Sequence, residues 1–135
     1  MSDTPPTPEG TLEAALGFEL LDVSPELATG RAAVAPNLMQ PFGLVHGGVY
    51  AAMAESLASV ATYLAVRDEG MIAVGMSNNT TFMRPITKGH VNGEARPRHS
   101  GRTTWVWDVD MTNDDGKLCA TSRVTIAVRP APAGQ

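Results

Sequence analysis

The sequence predicts an α+β chain in which one antiparallel sheet is wrapped around one long helix. Three observations predict it. Residues 47 to 66 are nearly all small or apolar, so a helix there has almost no polar face and must be covered. From Met71 to Val128 apolar residues recur at every second position, the period of strands. Turn signals such as Asn113-Asp-Asp-Gly116 divide that region into strands. One apolar sheet face and one buried helix make a two-layer arrangement around a single core.

Length and composition agree. The chain has 135 residues, enough for one domain, with 43% hydrophobic and 18% charged residues. Its formal net charge of -4 argues against a nucleic-acid partner, which needs a broad basic excess to replace counterions. A few arginines gripping one phosphate-bearing ligand remain compatible with it. The single cysteine, Cys119, allows no internal disulfide, and a reducing, cytoplasmic compartment is the expectation. The first ten residues lack the basic and apolar regions of a signal peptide. Residues 49 to 66 come closest to a membrane span, but Glu55, two serines and a threonine interrupt them, so a core helix is the reading and no membrane partner is expected.

Taken in order, residues 1–10 are proline-rich and polar and read as disordered. The domain itself is expected over 11–129. Thr11 to Gly17 reads as a short helix with Thr11 as its N-cap and Gly17 as its stop. Phe18 to Val23 and Leu27 to Val34 read as strands around a Ser24-Pro25-Glu26 turn, and Ala35-Pro36-Asn37 breaks the pattern. The central helix runs from Gly47 or Gly48 to about Arg67–Gly70, with Val49, Met53, Leu57, Val60 and Leu64 as its apolar stripe.

A meander of four strands follows. Met71 to Met83 is the first and ends before Arg84-Pro85. Lys88 to Arg98 puts His90, Asn92, Glu94, Arg96 and Arg98 on one face and Val91, Gly93 and Ala95 on the other. Thr103 to Met111 aligns Thr103, Trp105, Trp107, Val109 and Met111. Lys117 to Val128 turns Leu118, Ala120, Ser122, Val124, Ile126 and Val128 inward. Residues 130–135 form a tail. The sheet has free edges and one uncovered face, which predicts self-association.

Chemistry concentrates on the central helix and its entry. A lone carboxylate, Glu55, inside an apolar helix is costly and asks for a use. Such a group suits a general base, or a nucleophile toward an activated acyl carbon. His46-Gly47-Gly48 opens the helix, where free backbone N–H groups and the macrodipole can polarise a carbonyl. Gly47 and Glu55 are eight residues apart, on the order of 12 Å along one helix, too far to touch one carbonyl together. If both serve one reaction, the amide comes from one subunit and Glu55 from another. The motif therefore predicts a dimer with shared sites.

The stretch Gln40-Pro-Phe-Gly-Leu-Val-His46-Gly47-Gly48, with Glu55 nine positions after the histidine, resembles the hotdog-fold acyl-CoA thioesterases of the PaaI-like group. Within it the chain is similar to the Arthrobacter-type 4-hydroxybenzoyl-CoA and 1,4-dihydroxy-2-naphthoyl-CoA thioesterases. The resemblance spans roughly residues 12–129 and includes Asn79, Phe82-Met-Arg84-Pro85, Gly101-Arg102-Thr103-Thr104 and Asp115-Gly116-Lys117. It implies a hotdog fold, a tetramer built from dimers, and no metal or organic cofactor. It further implies Glu55 as the catalytic carboxylate and the Gly47 amide as the group that polarises the thioester carbonyl. His46 would order the loop, Gln40 would position the thioester or the water, and Ser59 would stand beside the carboxylate. Arg84, Arg102, Thr103, Thr104 and Asn79 are the implied contacts to CoA and substrate, with Arg96, Arg98 and Arg129 as weaker candidates.

The expected function is hydrolysis of an aryl- or medium-size acyl-CoA. A hotdog dehydratase or hydratase, and a non-catalytic acyl-CoA binding module, are the alternatives. His90 and His99, nine apart, would face opposite ways on a regular strand and do not form a zinc site with His46. Cys119 and the two tryptophans read as structural.

Overall fold

Thr11 caps the first helix in extended conformation. Its hydroxyl accepts from the Ala14 N–H and donates to the Pro8 carbonyl, which starts the short helix α1 (Leu12–Leu16). Gly17 ends that helix at φ 67°, a left-handed conformation that costs glycine little. The structure, a computed structural model, describes residues 8–133. Most of the segment expected to be disordered, residues 1–7, lies outside the described residues, as do 134 and 135 of the tail.

Strands β1 (Phe18–Val23) and β2 (Ala28–Ala33) pair antiparallel. Ser24 makes their turn by accepting from Glu26 and Leu27 N–H. Helix α2 (Gly47–Val66) follows a one-turn 3-10 segment at Pro36–Leu38 and a single bridge between Met39 and Val45. It ends through a further 3-10 turn at Arg67–Glu69 and Gly70. Then come β3 (Met71–Phe82), β4 (His90–Ser100), β5 (Thr104–Thr112) and β6 (Leu118–Pro130). The last strand runs past the expected domain end at 129, and the Ala131 N–H bonds to the Gly70 carbonyl.

The six strands form one antiparallel sheet in the order β1-β2-β4-β5-β6-β3. This corrects the expected four-strand meander. Of those four, β4, β5 and β6 follow one another in the sheet and β3 does not. The strand β3 pairs with β6, and the chain crosses from that edge to the other side of the sheet before β4. The long β3–β6 ladder, from Met71↔Pro130 to Phe82↔Ala120, holds β3 at the edge nearest the helix.

The core lies between α2 and the inner face of the sheet. Trp107, Val109, Met111, Val124 and Ile126 point into it, fully buried, against Met53, Leu57 and Ala58 of the helix. Trp107 also donates through Nε1 to Thr62 Oγ1 at 2.9 Å, and Thr62 in turn donates to Ala58 O. This pairing satisfies a polar group that burial would otherwise penalise.

The helix is covered on one side only. Its buried face is Val49, Tyr50, Met53, Ala54, Leu57, Ala58, Ala61 and Thr62. Val60 and Leu64, expected in the apolar stripe, are half-buried because the face drifts with the 3.6-residue period. Ala51, Ala52, Ser56 and Ser59 are half-buried on the other side, and Glu55 there is exposed rather than buried. The helix is long and apolar enough to cross a membrane by length and composition, with a mean hydropathy of 1.4, yet half of that window is buried within the chain.

Two strand readings also change. Leu118 is 43% exposed, and Cys119 is buried beside it, because the alternation in β6 settles only from Ala120 onward. A bulge between Pro97 and His99 places His99 opposite Val106. That register sets His99 on the face that carries Asn92 and Glu94, and so on the same face as His90, not the opposite one.

Candidate active site

The entry to α2 is held by its own side chains. His46, extended at φ -63° and ψ 137°, is the N-cap, and its Nδ1 accepts from Gly48 N–H at 2.8 Å. That bond fixes the tautomer with the proton on Nε2. The His46 carbonyl accepts from Val49 N–H, and Gly47 N–H has no acceptor among the described residues. The preceding loop turns at Gly43, φ 82°, and is closed by Gln40, whose side-chain oxygen accepts from Phe42 N–H. The carboxamide nitrogen of Gln40 is left to donate elsewhere.

Gln40 and Gly47 share a cavity of about 540 Å³ with Leu44, Tyr50, Phe82 and Arg84. The tip of the Phe82 ring lies so close to Gly47 that a Cβ there would meet it at 2.9 Å. Glycine thus admits both the ring and any ligand to the amide. Arg84 is exposed at this cavity and makes no ion pair among the described residues, so its guanidinium is available to an anion.

Glu55 lies in a different cavity, of about 680 Å³, with Glu13, Ala51, Ser56, Ser59, Asn78 and Thr80. A hydrogen-bonded chain supports its wall. Ser122 and Thr80 hydroxyls meet at 2.7 Å, Thr80 donates to Asn78 Oδ1 at 2.7 Å, and Asn78 Nδ2 donates to the Ala51 carbonyl at 2.9 Å. Since Thr80 has given its proton to Asn78, Ser122 is the donor to Thr80. The chain ties β3 to α2 one helical turn before Glu55. Ser56 is held separately, donating to Glu13 Oε1 at 2.9 Å.

The remaining sequence candidates fall elsewhere. Arg102 and Thr103 line a third cavity, of about 900 Å³, with Trp105 and Arg129. Arg129 Nη1 donates to the carbonyls of Thr103 and Val128. Thr104 starts β5 opposite Ala127. Asn79 is opposite Arg123 on the outer sheet face, beside Asp108 and Thr121, away from the helix. Arg96 is paired with Glu94, and Arg98 with Asp108 at 3.5 Å, so neither is free. Among the described residues no three of His, Cys, Asp and Glu gather as a metal site.

Asn78 and Thr80, not Asn79, are therefore the polar β3 residues beside Glu55. The sequence marks Ser77-Asn-Asn-Thr-Thr81 as a polar stretch but not which members turn inward. The register shift between Gly75 and Ser77 decides that. Tyr50 was also not anticipated, since one tyrosine in an apolar helix reads as core.

A single long helix laid on a six-stranded antiparallel sheet, with an acidic residue on the helix and a glycine amide at its start, defines the hotdog class. The chain belongs to the Thioesterase superfamily, whose family model matches residues 42–120, more than half of it. It is 38% identical over 122 residues to the proofreading thioesterase EntH of Cronobacter turicensis, covering 90% of this chain and 88% of that one. A solved thioesterase structure from Haemophilus influenzae superposes with a TM-score of 0.87 at 33% identity, over 94% of this chain and 88% of that one. A Staphylococcus aureus thioesterase, solved as a variant with one glutamine replaced by alanine, superposes with a TM-score of 0.85 at 26% identity, over 88% and 98% of the two chains. The chain is accordingly a thioester hydrolase.

Proposed function

We propose that the protein hydrolyses the thioester of an aryl- or medium-size acyl-CoA in the cytoplasm, releasing the free acid and CoA. The observation that carries this reading is the division of the chemistry along α2. Gly47, with its unpaired N–H, and Glu55 line separate cavities of one chain. Each is half of a site. A second copy laid antiparallel along the uncovered helix face brings Glu55 of one subunit to the Gly47 amide of the other. The small residues Ala51, Ala52, Ser56 and Ser59 on that face permit a close approach, and β3 adds an edge with Val74 and Met76 exposed. Two such dimers form the tetramer that the sequence resemblance implies.

In the shared site the Gly47 N–H, at the positive end of the helix, binds the thioester oxygen as negative charge develops on it. Gln40 Nε2 orients the thioester or the water. Glu55 either takes a proton from water as its oxygen attacks the carbonyl carbon, or attacks that carbon itself to give a mixed anhydride that water then cleaves. The thiolate of CoA leaves in either route. Ser59, one turn from Glu55, orients the carboxylate or the water. Single-turnover hydrolysis in heavy-oxygen water, followed by mass analysis of Glu55, separates the two routes, because only the anhydride route labels the carboxylate. For CoA, Arg84 stands at the cavity of Gly47, and Arg102, Thr103 and Thr104 serve the phosphates near the surface. Asn78, at the Glu55 cavity, takes the substrate-side role for which its neighbour Asn79 was the candidate.

A relative supports the pairing of roles. The Staphylococcus aureus thioesterase was also solved with a glutamate replaced by alanine, fifteen positions after the replaced glutamine, and Gln40 and Glu55 are fifteen apart here.

Subunit mixing tests the reading. Gly47→Pro removes the amide proton at a position whose N–H the helix does not use and which follows an already extended His46; its Cβ would meet the Phe82 ring at 2.9 Å, so that side chain must move, and thermal unfolding checks that the variant is folded. Glu55→Ala removes the carboxylate. Each variant alone is inactive against an acyl-CoA panel. After denaturation and joint refolding at equal amounts, shared sites restore about a quarter of wild-type activity, because half of the dimers are mixed and each holds one intact site. No recovery, with mixed dimers present, sinks the shared site.

A further inference from the structure

Among the described residues that line the Glu55 cavity, Asn78 alone brings a side-chain nitrogen. Its neighbours fix which way the amide faces. The Ala51 carbonyl can only accept, so the Asn78 nitrogen is turned to it, at 2.9 Å. The Asn78 oxygen is then turned to Thr80, whose hydroxyl donates to it at 2.7 Å. Behind Thr80 stands Ser122, 3% exposed and directly opposite it on β6, with the two hydroxyls 2.7 Å apart. Donation runs one way along this row, from Ser122 to Thr80 to Asn78 to Ala51, and each bond polarises the next.

An amide nitrogen carries two protons. The Ala51 carbonyl takes one, and the other has no acceptor among the described residues. In an α-helix the carbonyl of residue 51 faces the N–H of residue 55, so Asn78 meets α2 at the turn that carries Glu55. The Glu55 carboxylate rests against Gly75, on the same strand as Asn78 and three residues from it. Asn78 is half-buried, and both side chains line the one cavity. A free proton and free carboxylate lone pairs side by side fit a small molecule that both accepts and donates, and water does both. Ser56 gives its proton to Glu13, and Thr80 gives its own to Asn78, so neither hydroxyl displaces the amide as donor to that water.

We propose that Asn78 is a further catalytic residue, whose second amide proton holds the water that attacks in hydrolysis, and that Thr80 is a positioning residue acting through it. This rests on the thioesterase reading above and adds the water site to it. The water accepts from Asn78 with one lone pair, donates to a Glu55 oxygen, and keeps its other lone pair for a carbonyl carbon. In the direct route its oxygen bonds to the thioester carbon, one proton passes to Glu55, and the C–S bond breaks as the thiolate leaves. In the anhydride route the same water adds to a carbonyl carbon of the anhydride, the C–O bond breaks, and its two protons end on the two carboxyl groups set free.

The test uses the full-length protein and the acyl-CoA of the panel that the wild type turns over fastest, with methanol added as a competing nucleophile. Free acid and methyl ester are measured separately, and thermal unfolding confirms that each variant is folded. Asn78→Leu, close in size, is expected to lower kcat for acid formation about tenfold with KM within about twofold. It also shifts the ester-to-acid ratio toward ester by about threefold or more, because water loses its donor. Asn78→Ala gives the same shift should Asn78→Leu fail to fold. Thr80→Val frees the amide to turn and lowers kcat by about threefold, but costs nothing further in the Asn78→Leu background. A reduced kcat with an unchanged product ratio assigns Asn78 a packing role and overturns the proposal, as does an unchanged kcat. A Thr80→Val loss that is the same in both backgrounds overturns the action of Thr80 through Asn78. A wild type that turns over no member of the panel overturns the acyl-CoA reading and the water site together. Turnover that is indifferent to Asn78 removes the water site alone.

Discussion

Gly75 on β3 lies against the Glu55 carboxylate, so closely that a Cβ at residue 75 would sit 3.2 Å from Oε2 and 3.3 Å from Cδ. Glycine here is a matter of space rather than of backbone freedom. The absent side chain leaves the room in which the carboxylate rests. A branched side chain must push Glu55 along the helix surface, while the β3–β6 ladder on the other side of residue 75 is untouched. Gly75→Val is expected to lower kcat by about 10- to 100-fold, the cost of displacing the carboxylate proposed to be catalytic by roughly an ångström. Unfolding by heat should shift far less than activity does. Equal losses in stability and kcat would mean that residue 75 serves the sheet and not the carboxylate.

Glu55 itself is exposed in the single chain and makes no ion pair among the described residues. Its removal therefore leaves no buried partner unsatisfied. Glu55→Ala should cost more than ~100-fold in thioester hydrolysis, in the range expected for loss of a general base, without weakening the fold. Turnover and the midpoint of chemical unfolding, measured on the same preparation, check both halves. Full turnover in the variant refutes the assigned role.

The fold was legible in this chain wherever one period ruled a stretch. Alternation placed Trp105, Trp107, Val109 and Met111 inward, and Thr11 and Gly17 bounded α1 at its observed ends. What was not legible depended on contacts between distant segments. The edge position of β3 follows from pairing with β6, from Phe82↔Ala120 to Met71↔Pro130, segments distant in sequence, and no local pattern records it. Bulges at Gly75–Ser77 and Pro97–His99 moved Asn78 and His99 to faces that strict alternation denies them. Glu55 was expected to be buried because an apolar helix suggested cover on all sides. The chain covers one side, and the other is left to whatever packs there. The helix start was readable as an amide donor, but the burial of Tyr50 against Phe82 was not, since it depends on where β3 meets the helix.

Asp114, in the turn between β5 and β6, joins that turn to the start of β4. Asn92 Nδ2 donates to its Oδ1 at 3.0 Å, and His90 Nδ1 lies 3.2 Å from Oδ2. The Asn92 hydrogen bond first, and His90 second, hold its carboxyl below the ordinary value of 3.8. A carboxyl depressed in the folded state contributes stability that is fully present above its unfolded value and is lost as pH falls through the folded one. The contribution is thus complete above about pH 3.8 and fades below it. Asp114→Asn should leave stability at pH 3 closer to wild type than at pH 7. Unfolding curves at the two pH values check the difference, and a variant whose deficit is the same at both removes Asp114 from the acid limb.

Trp107 and Thr62 form the buried polar contact that joins helix to sheet, and its cost when broken is predictable from burial alone. Both residues are 0% exposed, and Nε1 to Oγ1 is 2.9 Å. Thr62→Val keeps the shape and the helix but leaves the indole N–H without an acceptor in a dry core. An orphaned buried donor costs about 1–3 kcal/mol, more than the net worth of the bond it loses. Trp107→Phe in the same background removes the orphan while opening a cavity. In a double-mutant cycle the two changes should therefore be less than additive, with a coupling of about 1 kcal/mol. Strict additivity would show that water reaches the indole, and that the layer between α2 and the sheet is looser than the burial of Trp107 requires.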